Sequence, residues 1–257
     1  MEIFLIAVVA AAASFLTLFS GFGLGTILTP FFLFFFPVEI AVALTGVVHL
    51  FNNLFKFALL GKQTQWGIVL RFGIPSILGA FLGAKLLLSL SVFEPLARYS
   101  IGGRILYLEP LNIVIAFLMI YFALAEMFPK LQAFTPSKRA LPAGGLISGF
   151  FGGLSGHQGA LRAAFLIRYN LTKEQFLATG IVIACLVDLT RLSIYSSQFV
   201  RSHAVLHWDF LVAAILSAFA GAYAGNKLLK KVTLSIVQKI VAALLLLIAL
   251  GLGSGLL

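Results

Sequence analysis

Long apolar stretches recur from end to end of the chain, and short polar loops separate them. Their bounds predict segments over about 3–36, 38–60, 66–90, 110–128, 141–168, 174–197, 208–229 and 233–256. A spanning helix needs roughly 20 apolar residues, and the unbroken stretches are near that length. Two segments are interrupted by glycine. The first carries Ser20, Gly21, Phe22, Gly23, Leu24 and Gly25; the second carries Gly152, Gly153, Leu154, Ser155, Gly156, His157, Gln158 and Gly159. In lipid, unwound backbone is tolerated only where protein buries it or water lines it. Matching breaks in two halves of a membrane protein point to a substrate site near the midplane.

The halves are copies. Gly79-Ala80-Phe81-Leu82-Gly83-Ala84-Lys85-Leu86-Leu87 reads almost as Gly221-Ala222-Tyr223-Ala224-Gly225-Asn226-Lys227-Leu228-Leu229, an offset of 142 at which Trp66 also matches Trp208. Upstream, Thr45-Gly46 matches Thr179-Gly180 at 134, and Ser20-Gly21 matches Ser155-Gly156 at 135. The drift places a small insertion around Arg201, Ser202 and His203.

Basic residues distinguish two topologies. If the broken segments cross the membrane, the copies are parallel and the basic residues divide eight against nine, with Arg162 central. If each is a re-entrant hairpin, each copy has three crossings and the copies are inverted. One side then holds twelve basic residues and the other only Lys85, Arg98, Arg104, Arg191 and Arg201, a positive-inside bias. The expected fold is an all-α polytopic membrane protein with one transmembrane domain over 1–257. Repeat one covers about 1–128 and repeat two about 141–257. Each is a glycine-broken re-entrant segment plus three transmembrane helices, inverted between the copies, with both termini outside the cytoplasm. The long first arm, Ile3 to Phe19, sits least easily with a hairpin: as a helix it would extend about 25 Å.

Composition agrees with the class. The chain is 61% hydrophobic and 10% charged, against about 25% charged in soluble domains. The net charge of +10 is spread over helix ends, with no aromatic-interleaved basic groove. It is read as membrane orientation with a field favouring anions, not as nucleic-acid binding. The start, Met1-Glu2-Ile3-Phe4, lacks a positive n-region and reads as the first membrane element. Cys185 reads as a packing residue. No enzyme signature, metal spacing or cofactor motif is present, and His203 and His207 read as loop residues.

The first break offers backbone for close approach through Gly23, Gly25 and Thr26, followed by Thr29 and Pro30. It reads equally well as tight helix packing. The second adds Ser155, Gly156, His157, Gln158 and Arg162, a donor-rich cluster whose guanidinium suits a carboxylate, sulfonate or phosphate. In the next helix Thr45, His49, Asn52, Asn53 and Lys56 share one face and suggest a lined pathway, with interhelical bonding, and snorkelling of Lys56, as alternatives. In copy two, Asp188 and Arg191 are three apart and suit an ion pair. Asp188 is also the first candidate for proton coupling. His157, Gln158, Arg162, Ser155, Gly156, Asn52, Asn53, Gly23, Gly25 and Thr26 are the expected substrate-binding residues, and His49, Lys56, Asp188 and Arg191 the expected pathway or coupling residues.

The run Ser20-Gly21-Phe22-Gly23-Leu24-Gly25-Thr26-Ile27-Leu28-Thr29-Pro30 resembles the glycine-rich, proline-ended motif of the TauE/SafE family of sulfite and organosulfonate exporters. The resemblance covers nearly the whole chain. It implies a multi-pass inner-membrane transporter whose partners are a small anion and membrane lipid, with homodimerisation left open. In copy two, His157-Gln158-Gly159-Ala160-Leu161-Arg162-Ala163-Ala164 stands where the family keeps glycines and a proline, which implies a subgroup with its own substrate preference. The expected function is export of sulfite or an organosulfonate such as sulfoacetate by alternating access. An anion channel, or a carrier of a carboxylate or other small anion, is the alternative.

Overall fold

The computed structural model describes residues 2–20, 23–128, 137–202, 208–228 and 235–257. Gly21, Phe22, His203 and His207 lie outside the described residues. The first copy runs α1 (Glu2–Ser20), a short α2 (Gly25–Phe32), α3 (Val38–Leu60), α4 (Trp66–Ile68), a π turn (Val69–Gly73), α5 (Ile74–Leu90), strands β1 (Ala97–Ile101) and β2 (Arg104–Leu108), and α6 (Pro110–Met127). The second runs α7 (Leu141–Ser155), α8 (Gly159–Leu166), α9 (Lys173–Ser202), α10 (Trp208–Leu228) and α11 (Ser235–Gly253). Among the described residues four helices are long and apolar enough to cross a membrane: Val38–Gln63, Trp66–Leu90, Lys173–Ser196 and Trp208–Lys227. Shorter apolar helices cover Ile3–Thr17, Pro110–Ala125 and Val241–Gly253.

The all-α expectation is corrected by the hairpin of β1 and β2, which pair antiparallel. Gly102 and Gly103 form its two-residue turn, both at positive φ (60° and 81°). That is the turn whose twist matches a hairpin, and glycine adopts it without a Cβ clash. The hairpin docks on the chain's end: Tyr99 Oη donates to Ser254 O, and Gly255 lies against the Tyr107 backbone. The π turn precedes Pro75, which has no N–H to continue the α-helical ladder.

The helices pack in exchanged pairs. α5 lies along α7 and α1 along α10, while α3 packs on α9 and α6 on α11. The α5–α7 contact is close because Gly145, Gly149 and Gly153 of α7 meet the backbone of Phe72, Ser76 and Ala80. Those pairs rise together along both helices, so α5 and α7 are parallel. A Cβ at any of these glycines would strike the facing carbonyl, so small residues decide the helix separation. The repeated motif is part of this packing: Gly79 sits against Leu146, and its counterpart Gly221 against Ala11. Leu146 and Ala11 are themselves matched positions, 135 apart, so the two contacts are equivalent.

α3 and α9, the matching helices, run antiparallel. Gly46 approaches Arg191 and Leu192, His49 meets Asp188, and the Gln65 amide, just past α3, donates to Thr179 Oγ1 at 3.0 Å. α8 folds back along α7: Gly144 lies against the Phe165 ring, and Ser148 Oγ donates to Gln158 O at 3.1 Å. At 1.5 Å per residue the 15 residues of α7 and the 19 of α1 extend about 22 Å and 28 Å.

Candidate functional site

The two glycine breaks meet. The position a Cβ would take on Gly25 lies 2.9 Å from Gly156 O and 3.6 Å from Thr45 Cγ2. Gly156 ends α7 in the left-handed conformation (φ 81°), and its N–H reaches Gly152 O at 3.1 Å. Glycine is required twice over at this contact, by conformation at Gly156 and by distance at Gly25.

Beside the contact lies a cavity of about 40 Å³, lined by Thr17, Gly23, Leu24, His49, Asn53, Lys56, Arg162, Phe176, Leu177, Gly180 and Ile181. At about 10–15 Å³ per water on this measure, it has room for roughly three waters or a small oxyanion. Two cationic side chains reach it, Lys56 from α3 and Arg162 from α8, and no carboxylate is among its described lining residues. Both are buried, at 5% and 8% exposure. Arg162 comes so close to α9 because residue 180 is glycine; a Cβ there would stand 3.2 Å from Arg162 Nε. Arg162 Nη1 has no partner among the described residues. Lys56 does not snorkel. The Asn52 carboxamide, with its nitrogen turned to Ala218 O at 3.3 Å, accepts from Lys56 Nζ at 3.1 Å.

Behind the cavity His49, Asp188 and Arg191 form a fully buried chain. Asp188 Oδ2 is 2.6 Å from His49 Nδ1; Asp188 Oδ1 is 2.9 Å from Arg191 Nε and 2.8 Å from Nη2. With its proton on Nδ1, His49 donates to Asp188 and leaves Nε2 to accept from Asn53 Nδ2 at 3.2 Å. One carboxylate thus joins a helix of each copy.

The residues singled out in the sequence divide here. Arg162, Asn53, Gly23, His49 and Lys56 meet at the cavity. Asn52 is buried beside it. His157 is elsewhere: its ring stacks on Phe122 (5.3 Å, 7°), Nδ1 faces Ser155 O at 3.0 Å and Nε2 has no partner among the described residues. Gln158 is fully buried against Gly152, with neither amide atom partnered among the described residues. Ser155 Oγ donates back to Phe151 O at 3.0 Å, and Thr26 is buried in the first turn of α2. Sequence reading missed two groups, Thr17 at the cavity and Ser14, whose Oγ is 2.9 Å from the Asn52 amide. Their signal is their spacing: three apart, they are the polar residues in the middle of an apolar arm. It also missed that Asp188 serves His49 as well as Arg191. A second cavity of about 370 Å³ lies toward the other end of α3, where Glu39, Glu109, Asn112 and Ser91 are the polar lining.

The apolar helices of membrane-spanning length and the buried polar cavity between them describe a multi-pass membrane protein. The chain matches the family described as sulfite exporter TauE/SafE over residues 5–252, and it belongs to that family. None of the curated proteins matches it.

Proposed function

We propose that the chain exports a small oxyanion, sulfite or an organosulfonate, by alternating access. The fold we infer for this transport is one transmembrane domain of two inverted repeats, each with a re-entrant hairpin. The antiparallel course of α3 and α9 supports the inversion, since matched helices of parallel copies would point the same way. The return of α8 along α7 and the basic-residue count support the hairpins.

The observation that carries the reading is the pairing of Lys56 and Arg162 on one cavity with no carboxylate among its described lining residues. The carboxylate of Asp188 acts on Arg162 from behind the cavity, but it is already shared by His49 and Arg191, and an intramembrane cation by default marks a substrate path. An arriving oxyanion supplies further counter-charge, with Arg162 Nη1, Lys56 Nζ and Asn53 as donors. The cavity lies toward the end of α3 and the start of α9, where Lys62 and Lys173 stand, the side assigned here to the cytoplasm. An inside-negative potential favours anion exit by about 2.3 kcal/mol per charge per 100 mV.

Sulfite flux from proteoliposomes tests this. Arg162→Gln removes a charge-assisted bond and should raise half-saturation about 10- to 100-fold, and Lys56→Gln should act in the same direction. Unchanged flux in both would sink the reading. Saturation with counterflow separates a carrier from a channel.

A further inference from the structure

We infer a second oxyanion position on the far side of the glycine contact, held by Arg191 and Thr29; it rests on the transport reading above. Gly156 has no side chain, and the position a Cβ would take there lies 3.1 Å from Arg191 Nη1 and 3.6 Å from Thr29 Oγ1. Both residues are fully buried, at 0% exposure, and neither Arg191 Nη1 nor Thr29 Oγ1 has a hydrogen-bond partner among the described residues. A buried donor left unbonded is destabilising, and two of them stand beside one glycine, where parting of the Gly25–Gly156 contact would give both access to an oxyanion.

The rest of Arg191 is committed. Its Nε and Nη2 face Asp188, and Gly46 admits the guanidinium by close approach, with Cζ 3.2 Å from the position of a Cβ. Nη1 is the guanidinium nitrogen nearest Gly156, and the Tyr195 hydroxyl is a further hydrogen-bonding neighbour of the guanidinium. Neither Arg191 nor Thr29 is among the lining of the cavity, and the two positions are joined through His49 and Asp188. Arg162 receives the anion in the cavity. Arg191 Nη1 and Thr29 Oγ1 receive it once the contact between the breaks parts, and Asp188, shared between His49 and Arg191, keeps Arg191 from holding it too tightly.

The test is sulfite efflux from proteoliposomes containing the full chain with Thr29→Val, which keeps the shape and removes the hydroxyl, and Thr29→Ser, which keeps the hydroxyl. Thr29→Val should slow turnover about tenfold, the loss of one bond to an anion, with half-saturation unchanged because the cavity is intact. Thr29→Ser should restore turnover, which a packing role for the methyl would not allow. Wild-type turnover in Thr29→Val, or equal impairment in the two variants, overturns the second position and leaves the cavity standing if Arg162→Gln still raises half-saturation. Wild-type flux in Arg162→Gln and Lys56→Gln overturns both, since the second position is reached only from the cavity.

Discussion

At the first break Gly23 carries no side chain, and Thr17, His49 and Asn53 surround the space beside it. At the second break Gln158 stands in the same repeat position. Its side chain closes on Gly152, with Val187 against the same glycine. Gly152 and Val187 are the counterparts of Thr17 and Asn53. The same backbone plan therefore leaves a polar cavity in one half and fills the equivalent space in the other. The filling is chemically odd, because Gln158 buries two polar atoms without a partner among the described residues at a cost of about 1–3 kcal/mol each.

The largest effect is expected where the halves are joined. Asp188→Asn leaves Arg191 as a buried unpaired cation, a loss of about 3–5 kcal/mol. Thermal unfolding in detergent should show a sharply lowered midpoint, and flux should be lost. Wild-type behaviour would mean the two breaks are held in register by something else. Next, Gly23→Gln makes the first break copy the second. Its side chain would enter the cavity beside His49 and raise sulfite half-saturation at least about tenfold, or 1.4 kcal/mol; unchanged affinity would show that Gly23 does not keep the cavity open. The reverse exchange, Gln158→Gly, should expose the closed half. A cysteine at Val187, with Cys185→Ala as background, should then label several-fold faster from the side opposite Lys56, and an unchanged rate would break the comparison. The smallest effect belongs to Thr17→Val, which removes from the cavity wall one neutral hydroxyl whose proton already goes to Ser14 O at 3.3 Å. A shift in half-saturation of about two- to tenfold follows from 0.5–1.5 kcal/mol.

Much of the fold was legible because it is written in local pattern. Apolar runs placed the helices within a few residues of where they stand, and the glycine breaks fell between α1 and α2 and between α7 and α8. The matched Gly79 and Gly221 announced equivalent contacts without saying what they touch. The β-hairpin was missed although Gly102-Gly103 is a hairpin turn signal, because the helical reading of the neighbouring stretches gave it no place. In the candidate site, the stripe from His49 to Lys56 and the ion pair of Asp188 with Arg191 could be read at helical spacing. His157 was grouped with Arg162 by proximity in sequence. The left-handed turn at Gly156 sends its ring to Phe122 instead.

The sequence by itself determined that this is a helical membrane protein with two glycine-broken segments and matching motifs in its two halves. Hydrophobic runs, glycines and repeats act within one helix or turn, so no distant partner is needed to read them. Only the tertiary structure decided which polar groups meet. His49 and Asp188 are 139 residues apart, and Arg162 meets Lys56 and Asn53 of the other half at one cavity. Such pairings depend on helix direction and on how closely glycine lets backbones approach. They are set by the packing of whole helices against one another, which no local pattern encodes.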